Sequence, residues 1–403
     1  MKPPKMKQEG KRHALCKKRL SSGGGQTFFT VKDFPRRIGW YKNKKRSGGS
    51  AMVHTTHYFL GANGGEGFCN LFDQLTKEPT LVDLMILKGG PGAGKSTFMQ
   101  KIGAAAEGRG LDVEYIHCSG APDSLDGVWI PALGKAAVDG TAPHVIEPRY
   151  PAAVDRVVDM GRFYRLEELK EKREAIIGCT DKCQTMTEAA GHYLKAFAAL
   201  EKEERSLILP ALDGEKLLRR AEGILRRELR GTGAGGRTTY RFLGGVTGEG
   251  VVWRMDTVQT LCSRIYVLHD SYGCGEGMLR RIQWAALAAG YDVTACLCPW
   301  EPSRLEHVLI PQLELGFVTV NDRCVFSGEA FRHLRLDAAA EEPYRCSKGR
   351  LRFLRRMKTT LLDEAVLALR GAGNCHDRLE KLYHPHVDFD GVSALTEQEL
   401  ARL

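Results

Sequence analysis

From residue 54 onward, short apolar runs alternate with stretches of helical spacing, and the order of that alternation predicts the fold class. Leu84-Met85-Ile86-Leu87 is an apolar run that stops at glycine, as a buried parallel strand does. Ser96 to Ala106 then carries apolar residues at helical spacing and ends at Gly108 and Gly110. Residues 112–118 read as the next strand, and Gly120 to Gly127 is turn-rich. Lys135-Ala136-Ala137-Val138-Asp139 reads as a small-residue strand ending in an acid. This order predicts an α/β protein with a mostly parallel sheet flanked by helices.

The rhythm breaks at about 150–230. Tyr164 to Ile177, Thr185 to Ile208 and Gly214 to Arg230 are charged and helically spaced, which predicts an inserted helical arm or lid. Gly231-Thr232-Gly233-Ala234-Gly235-Gly236 reads as a linker. Beyond it α/β patterning resumes, and the chain ends in a basic helix from Arg350 to Leu369 and another beginning at Cys375. The predicted organisation is a tail over 1–51, one domain over 52–235 and a second over 236–403.

The two halves repeat one another. Phe59-Leu60-Gly61 with Gly65-Glu66-Gly67 recurs as Phe242-Leu243-Gly244 with Gly248-Glu249-Gly250, an offset of 183. Downstream the offset is 180: Gly110, Asp112, Cys118, Pro122, Ile130 and Pro131 meet identical residues at Gly290, Asp292, Cys298, Pro302, Ile310 and Pro311.

Between these anchors lies the candidate chemistry. Residues 89–97 read Gly89, Gly90, Pro91, Gly92, Ala93, Gly94, Lys95, Ser96 and Thr97, which satisfies G-x-x-x-x-G-K-[ST] between a predicted strand and a predicted helix. Glycines let the backbone N–H groups curl around phosphate oxygens at a helix N-terminus. Lys95 is expected to reach the β and γ phosphates, and the Ser96 hydroxyl to complete a magnesium shell. Asp139 has the profile of a Walker B aspartate holding that Mg2+, with a simple turn residue as the competing reading. Asp123 and Asp126 sit where a group that orients water is expected, against a competing role in turns and capping. His117 and His144 flank the same edge and read as packing or hydrogen-bonding histidines rather than proton shuttles. Arg219, Arg220, Arg226 and Arg227 read as a solvated helical face, with a cationic finger as the alternative.

In the second half the matching segment is Asp270-Ser271-Tyr272-Gly273-Cys274-Gly275-Glu276. The better alignment puts Glu276 on Lys95, and the neighbouring one puts Gly275 there. Either lacks the cation, and Asp139 becomes Thr319.

Composition and charge narrow the picture. The chain has 403 residues, 43% hydrophobic and 27% charged, and no apolar run of membrane-spanning length. Residues 1–50 hold fifteen Lys or Arg against Glu9 and Asp33, so the net charge of +10 belongs to the tail and leaves the remainder at −3. Nucleic acid is therefore expected to bind only through that tail, which reads as disordered. Twelve cysteines include no C-x-x-C pair, which fits reduced thiols in a cytoplasmic protein.

The P-loop, with Pro-Asp-Ser-Leu-Asp-Gly at 122–127, Val-Asp-Gly-Thr-Ala-Pro-His at 138–144 and His-Asp-Arg-Leu-Glu at 376–380, resembles bacterial tandem P-loop proteins described as ATPases or nucleotide-kinase-like proteins. The resemblance implies two tandem P-loop NTPase-like domains with helical insertions. The expected function is ATP binding with Mg2+ and hydrolysis, with Lys95, Asp139 and Asp126 as catalytic residues. The alternatives are a nucleotide or small-molecule kinase and a nucleotide-gated module whose second domain engages a protein partner. ATP is preferred to GTP because no [NT]-K-x-D motif follows the loop.

Overall fold

A computed structural model describes residues 53–231, 235–339 and 348–403. The basic tail lies outside the described residues, as do residues 232–234 of the linker.

The chain is α/β, with two six-stranded mixed sheets of mostly parallel strands flanked by helices. The first sheet runs, in spatial order, Thr55–Phe59, Val113–His117, Leu125–Ile130, Lys135–Asp139, Asp83–Lys88 and Asp155–Asp159. The second runs Thr238–Arg241, Val293–Cys298, Glu301–Ile310, Leu315–Val320, Arg264–His269 and Arg332–Arg335. Strand for strand the two orders match, and in both sheets the third strand is antiparallel to its two neighbours. The repeated glycine pairs are the turns of two small hairpins, with Gly67 at φ +100° and Gly250 at φ +121°, a region open to glycine.

The sheets meet through equivalent groups. Phe59 and Phe242 exchange backbone hydrogen bonds of 2.9 and 3.0 Å. The His57 N–H donates to Thr257 Oγ1 at 2.7 Å, and its counterpart, the Tyr240 N–H, donates to Gln74 Oε1 at 3.1 Å.

Packing crosses the boundary drawn at residue 235. Leu217, Ala221, Ile224 and Leu225 of helix Gly214–Glu228 are buried in the core of the second sheet, so the arginines of that helix belong with the second sheet and not with the loop at 89–97. In exchange, Val392 and Leu395 of the last helix, Phe389–Leu400, are buried with Met85, Leu87, Met99 and Ile102 of the first. Arg156 ties that helix down, meeting Glu399 at 2.6 Å and Asp83 at 2.9 Å.

The middle of the predicted arm is one 36-residue helix, Arg173–Ile208, where the spacing predicts two, and it lies antiparallel against a second long helix, Lys348–Tyr383. The latter runs unbroken through Gly371 and Gly373, where the spacing predicts two helices. A Cβ on Gly371 would stand 2.6 Å from Met186 Sδ, so glycine there permits close approach of the partner helix. The pair rests on Val246, Cys298 and Trp300 through Leu194, Phe197 and Leu362. Among the described residues no helix is long and apolar enough to cross a membrane.

His307, fully buried on strand Glu301–Ile310, accepts the Thr319 N–H at 3.1 Å through Nδ1. Burial, reinforced by the Arg304 charge, pushes its pKa down to about 3. An unfolded histidine titrates near 6.5, so below that pH the unfolded chain takes up a proton that the folded chain refuses. This group then costs about 1.4 kcal/mol of stability per pH unit. Urea unfolding at pH 6.5 and 5 is expected to show that loss, with a shallower slope in His307→Gln. An unchanged slope would show that His307 does not sit neutral in the core.

Candidate functional site

Strand Asp83–Lys88 lies between Lys135–Asp139 and Asp155–Asp159, parallel to both, and ends where residues 89–94 begin. Gly92 at φ +70° and Gly94 at φ +81° let the chain reverse into helix Lys95–Gly108, capped by Gly94. The Lys95 ammonium donates to the carbonyls of Gly89 at 2.6 Å and Gly90 at 2.9 Å and stands 3.4 Å from Asp139 Oδ2. Asp139 is oriented by Thr141, whose N–H and hydroxyl donate to Oδ1 at 2.9 and 2.6 Å. Ser96 Oγ accepts the Leu125 N–H at 3.0 Å, fixing the helix start against the neighbouring strand. Thr97 is exposed. The Tyr164 hydroxyl donates to the Pro91 carbonyl at 3.0 Å.

Asp126 lies inside strand Leu125–Ile130 rather than in the turn that Gly and Pro content predicts. Every residue of that strand is buried between two antiparallel neighbours, and sheet pairing outweighs the local turn signal. Burial lifts the Asp126 carboxyl to about 6, with His144 and Lys95 opposing the rise and Asp139 adding to it. His144 Nε2 is 3.7 Å from Asp126 Oδ1, and its ring packs on Phe72 at 4.9 Å. Asp126, Asp139 and His144 each place one ligand atom within 4.8 Å of the other two. The sequence reads His144 as a packing or hydrogen-bonding residue. The available signal was its place five residues beyond Asp139, at the end of Val-Asp-Gly-Thr-Ala-Pro-His.

Also missed was the wall over the loop. A Cβ on Gly92 would stand 3.4 Å from the Glu380 carbonyl, and one on Gly94 would stand 3.3 Å from Val392 Cγ1. The C-terminal residues thus lie against the loop, beside Tyr383, whose ring packs on Tyr164 at 5.2 Å. Other polar groups of this segment hold structure together: His386 meets Glu168 at 2.6 Å, and Asp388 caps the last helix through the Gly391 N–H.

The second loop follows a different alignment from the one preferred by sequence. Buried Phe98, Met99, Ile102, Gly103 and Ala106 correspond at offset 180 to buried Met278, Leu279, Ile282, Gln283 and Ala286. Glu276 Oε1 accepts the Leu305 N–H at 3.3 Å, as Ser96 does for Leu125. Glu276 therefore occupies the place of Ser96, and Gly275 that of Lys95. A Cβ on Gly275 would stand 2.5 Å from Leu336 Cδ1 and 3.0 Å from Asp270 Oδ2. The Asp270 carboxylate fills the turn itself, accepting the N–H groups of Cys274 at 2.9 Å and Gly275 at 2.7 Å. A built-in anion thus takes the donors that a phosphate would need. Guanidinium groups do approach this loop from elsewhere, since a Cβ on Gly273 would meet those of Arg205 and Arg304 at 3.2 and 3.3 Å. Glu301 engages both, at 2.5 and 3.3 Å.

Comparison with protein-family models, with curated proteins and with solved structures finds no match.

Proposed function

We propose that residues 89–97 form a P-loop that binds the phosphates of ATP, and that the chain is a Mg2+-dependent ATPase with one active site. The observation that carries this reading is the Lys95 ammonium, held at the mouth of a helix N-terminus by two loop carbonyls and standing 3.4 Å from Asp139. In that position a triphosphate replaces the carbonyls as the partner of Lys95, while loop N–H groups and the helix dipole take up the remaining charge. Ser96 and Asp139 lie on facing elements and supply the oxygen ligands that Mg2+ favours. When bound, that ion neutralises charge building up on the phosphoryl oxygens. Asp126, buried one strand away from Asp139, orients the attacking water and accepts its proton.

The second sheet, with the same strand order, is in this reading a duplicated domain whose loop is closed by Asp270 and serves as scaffold or partner surface. Kinship with tandem P-loop proteins and a cytoplasmic location belong to the same proposal. No specific observation favours a kinase: the wall over the loop is seen to supply contacts to Gly92 and Gly94.

The test is incubation of the purified protein with γ-labelled ATP and Mg2+, with and without a panel of nucleosides and nucleoside monophosphates. Equal amounts of ADP and inorganic phosphate are expected, independent of the panel. Label transferred to an acceptor would replace hydrolase with kinase. Absence of both ATP binding and turnover would remove the reading altogether.

A further inference from the structure

Asp126 and His144 are 5% and 3% exposed, yet Asp126 Oδ2 and His144 Nδ1 have no hydrogen-bond partner. Leaving a buried polar group unsatisfied is costly, and here two neighbouring residues each carry one. The two residues approach through their other atoms, Asp126 Oδ1 and His144 Nε2, at 3.7 Å, too long for a hydrogen bond. Asp139, held by Thr141, adds a second carboxylate within 4.8 Å of both. The three residues come from one strand interior, one strand end and the turn that follows it. Their common neighbourhood is thus built by the sheet rather than by a local acidic run.

The donor set identifies the ligand class. One imidazole and two carboxylates suit divalent first-row transition ions, whereas Mg2+ takes oxygen ligands and retains much of its water. Such an ion sits about 2.0–2.2 Å from nitrogen and oxygen ligands, which places neighbouring ligands about 3 Å apart. The Asp126–His144 gap of 3.7 Å has to close only slightly to reach that spacing.

We propose that Asp126, Asp139 and His144 bind a divalent transition ion of the Mn2+ or Zn2+ class directly, before any nucleotide enters. The site shares Asp126 and Asp139 with the proposed ATP site, but binding there does not require nucleotide. Lys95 is its competitor: with its ammonium 3.4 Å from Asp139 Oδ2, it supplies positive charge where the ion would. Drawing Lys95 away, by phosphate or by mutation, therefore strengthens metal binding. Ligation through one Asp126 oxygen leaves the other to orient water.

The full chain, freed of metal and nucleotide, is titrated with MnCl2 while free Mn2+ is followed by electron paramagnetic resonance. One Mn2+ per chain is expected, displaced by Zn2+ and resisting about a hundredfold excess of Mg2+. Affinity is expected to fall roughly tenfold or more in Asp126→Asn and in His144→Gln, and to rise in Lys95→Ala. Circular dichroism establishes that each variant is folded, and Lys95→Ala tests the site with all three ligands intact. The proposal is overturned if neither wild type nor Lys95→Ala binds Mn2+, if folded Asp126→Asn and His144→Gln both bind as wild type does, or if equimolar Mg2+ displaces the ion. Binding of a fluorescent ATP analogue in chelator, measured on the same samples, keeps the two readings separate. Mn2+ binding without nucleotide binding sinks only the ATPase, and the reverse sinks only this site.

Discussion

Lys95→Ala is expected to reduce ATP turnover by at least about 10²–10³-fold, the range lost when one preorganised charge partner of a reacting group is removed. The ammonium has a fixed address, between Gly89 O, Gly90 O and Asp139, so its loss removes a positioned charge and not a wandering side chain. Among the described residues no other lysine or arginine pairs with Asp139, whose hydrogen-bond donors are the Thr141 N–H and hydroxyl. Folding should survive, because the helix beyond is anchored by buried Phe98, Met99, Ile102 and Ala106. Phosphate release and the thermal melt are measured together. Turnover within threefold of wild type, with an unchanged melt, would show that catalysis occurs elsewhere.

The largest effect on stability is expected from Lys358→Ala. Lys358 is 2% exposed in helix Lys348–Tyr383 and donates to Glu201 at 2.6 Å and to Glu204 on helix Arg173–Ile208. Burial by itself would raise the Glu201 carboxyl, but Lys358 and then Arg323 outweigh it and hold the group below the usual carboxylate range. Removing the lysine leaves two buried carboxylates, of which, among the described residues, only Glu201 keeps a cation, Arg323 at 2.9 Å. A loss of about 3–5 kcal/mol follows from such a broken buried pair. Replacing the whole group, as Lys358→Met with Glu201→Gln and Glu204→Gln, should recover much of it, because no buried charge is then orphaned. Urea unfolding measures both. A single mutant within about 1 kcal/mol of wild type would mean that the carboxylates find water or are protonated at little cost. The same helix reaches Glu380 and Tyr383 beside Gly92, so loosening the pair also loosens the wall over the loop.

Much of the first sheet is legible locally. The apolar run at 84–87 and the strand Lys135–Asp139 carry their signal in consecutive residues, and Gly92 and Gly94 mark the positive-φ turn. Asp126 misleads because Gly120, Pro122 and Gly127 speak for a turn while strand pairing is non-local. Strand Asp155–Asp159 is missed for a related reason, its two valines being too short a pattern beside a charged helical stretch.

The sequence by itself determined a strand, loop and helix with a lysine at their junction, an acid at the end of a later strand, and a repeat in which that lysine is lost. Each of these rests on residues close together in the chain, where backbone preference and side-chain period act directly. Only the tertiary structure decided that His144 stands by Asp126, that residues 380–392 lie over the loop, that Glu276 takes the place of Ser96, and that Asp270 fills the second turn. Most of those contacts join segments far apart in sequence. In the second loop a one-residue shortening changes which side chain faces the nest. Both are set by how sheets and helices pack, a geometry that no local pattern encodes.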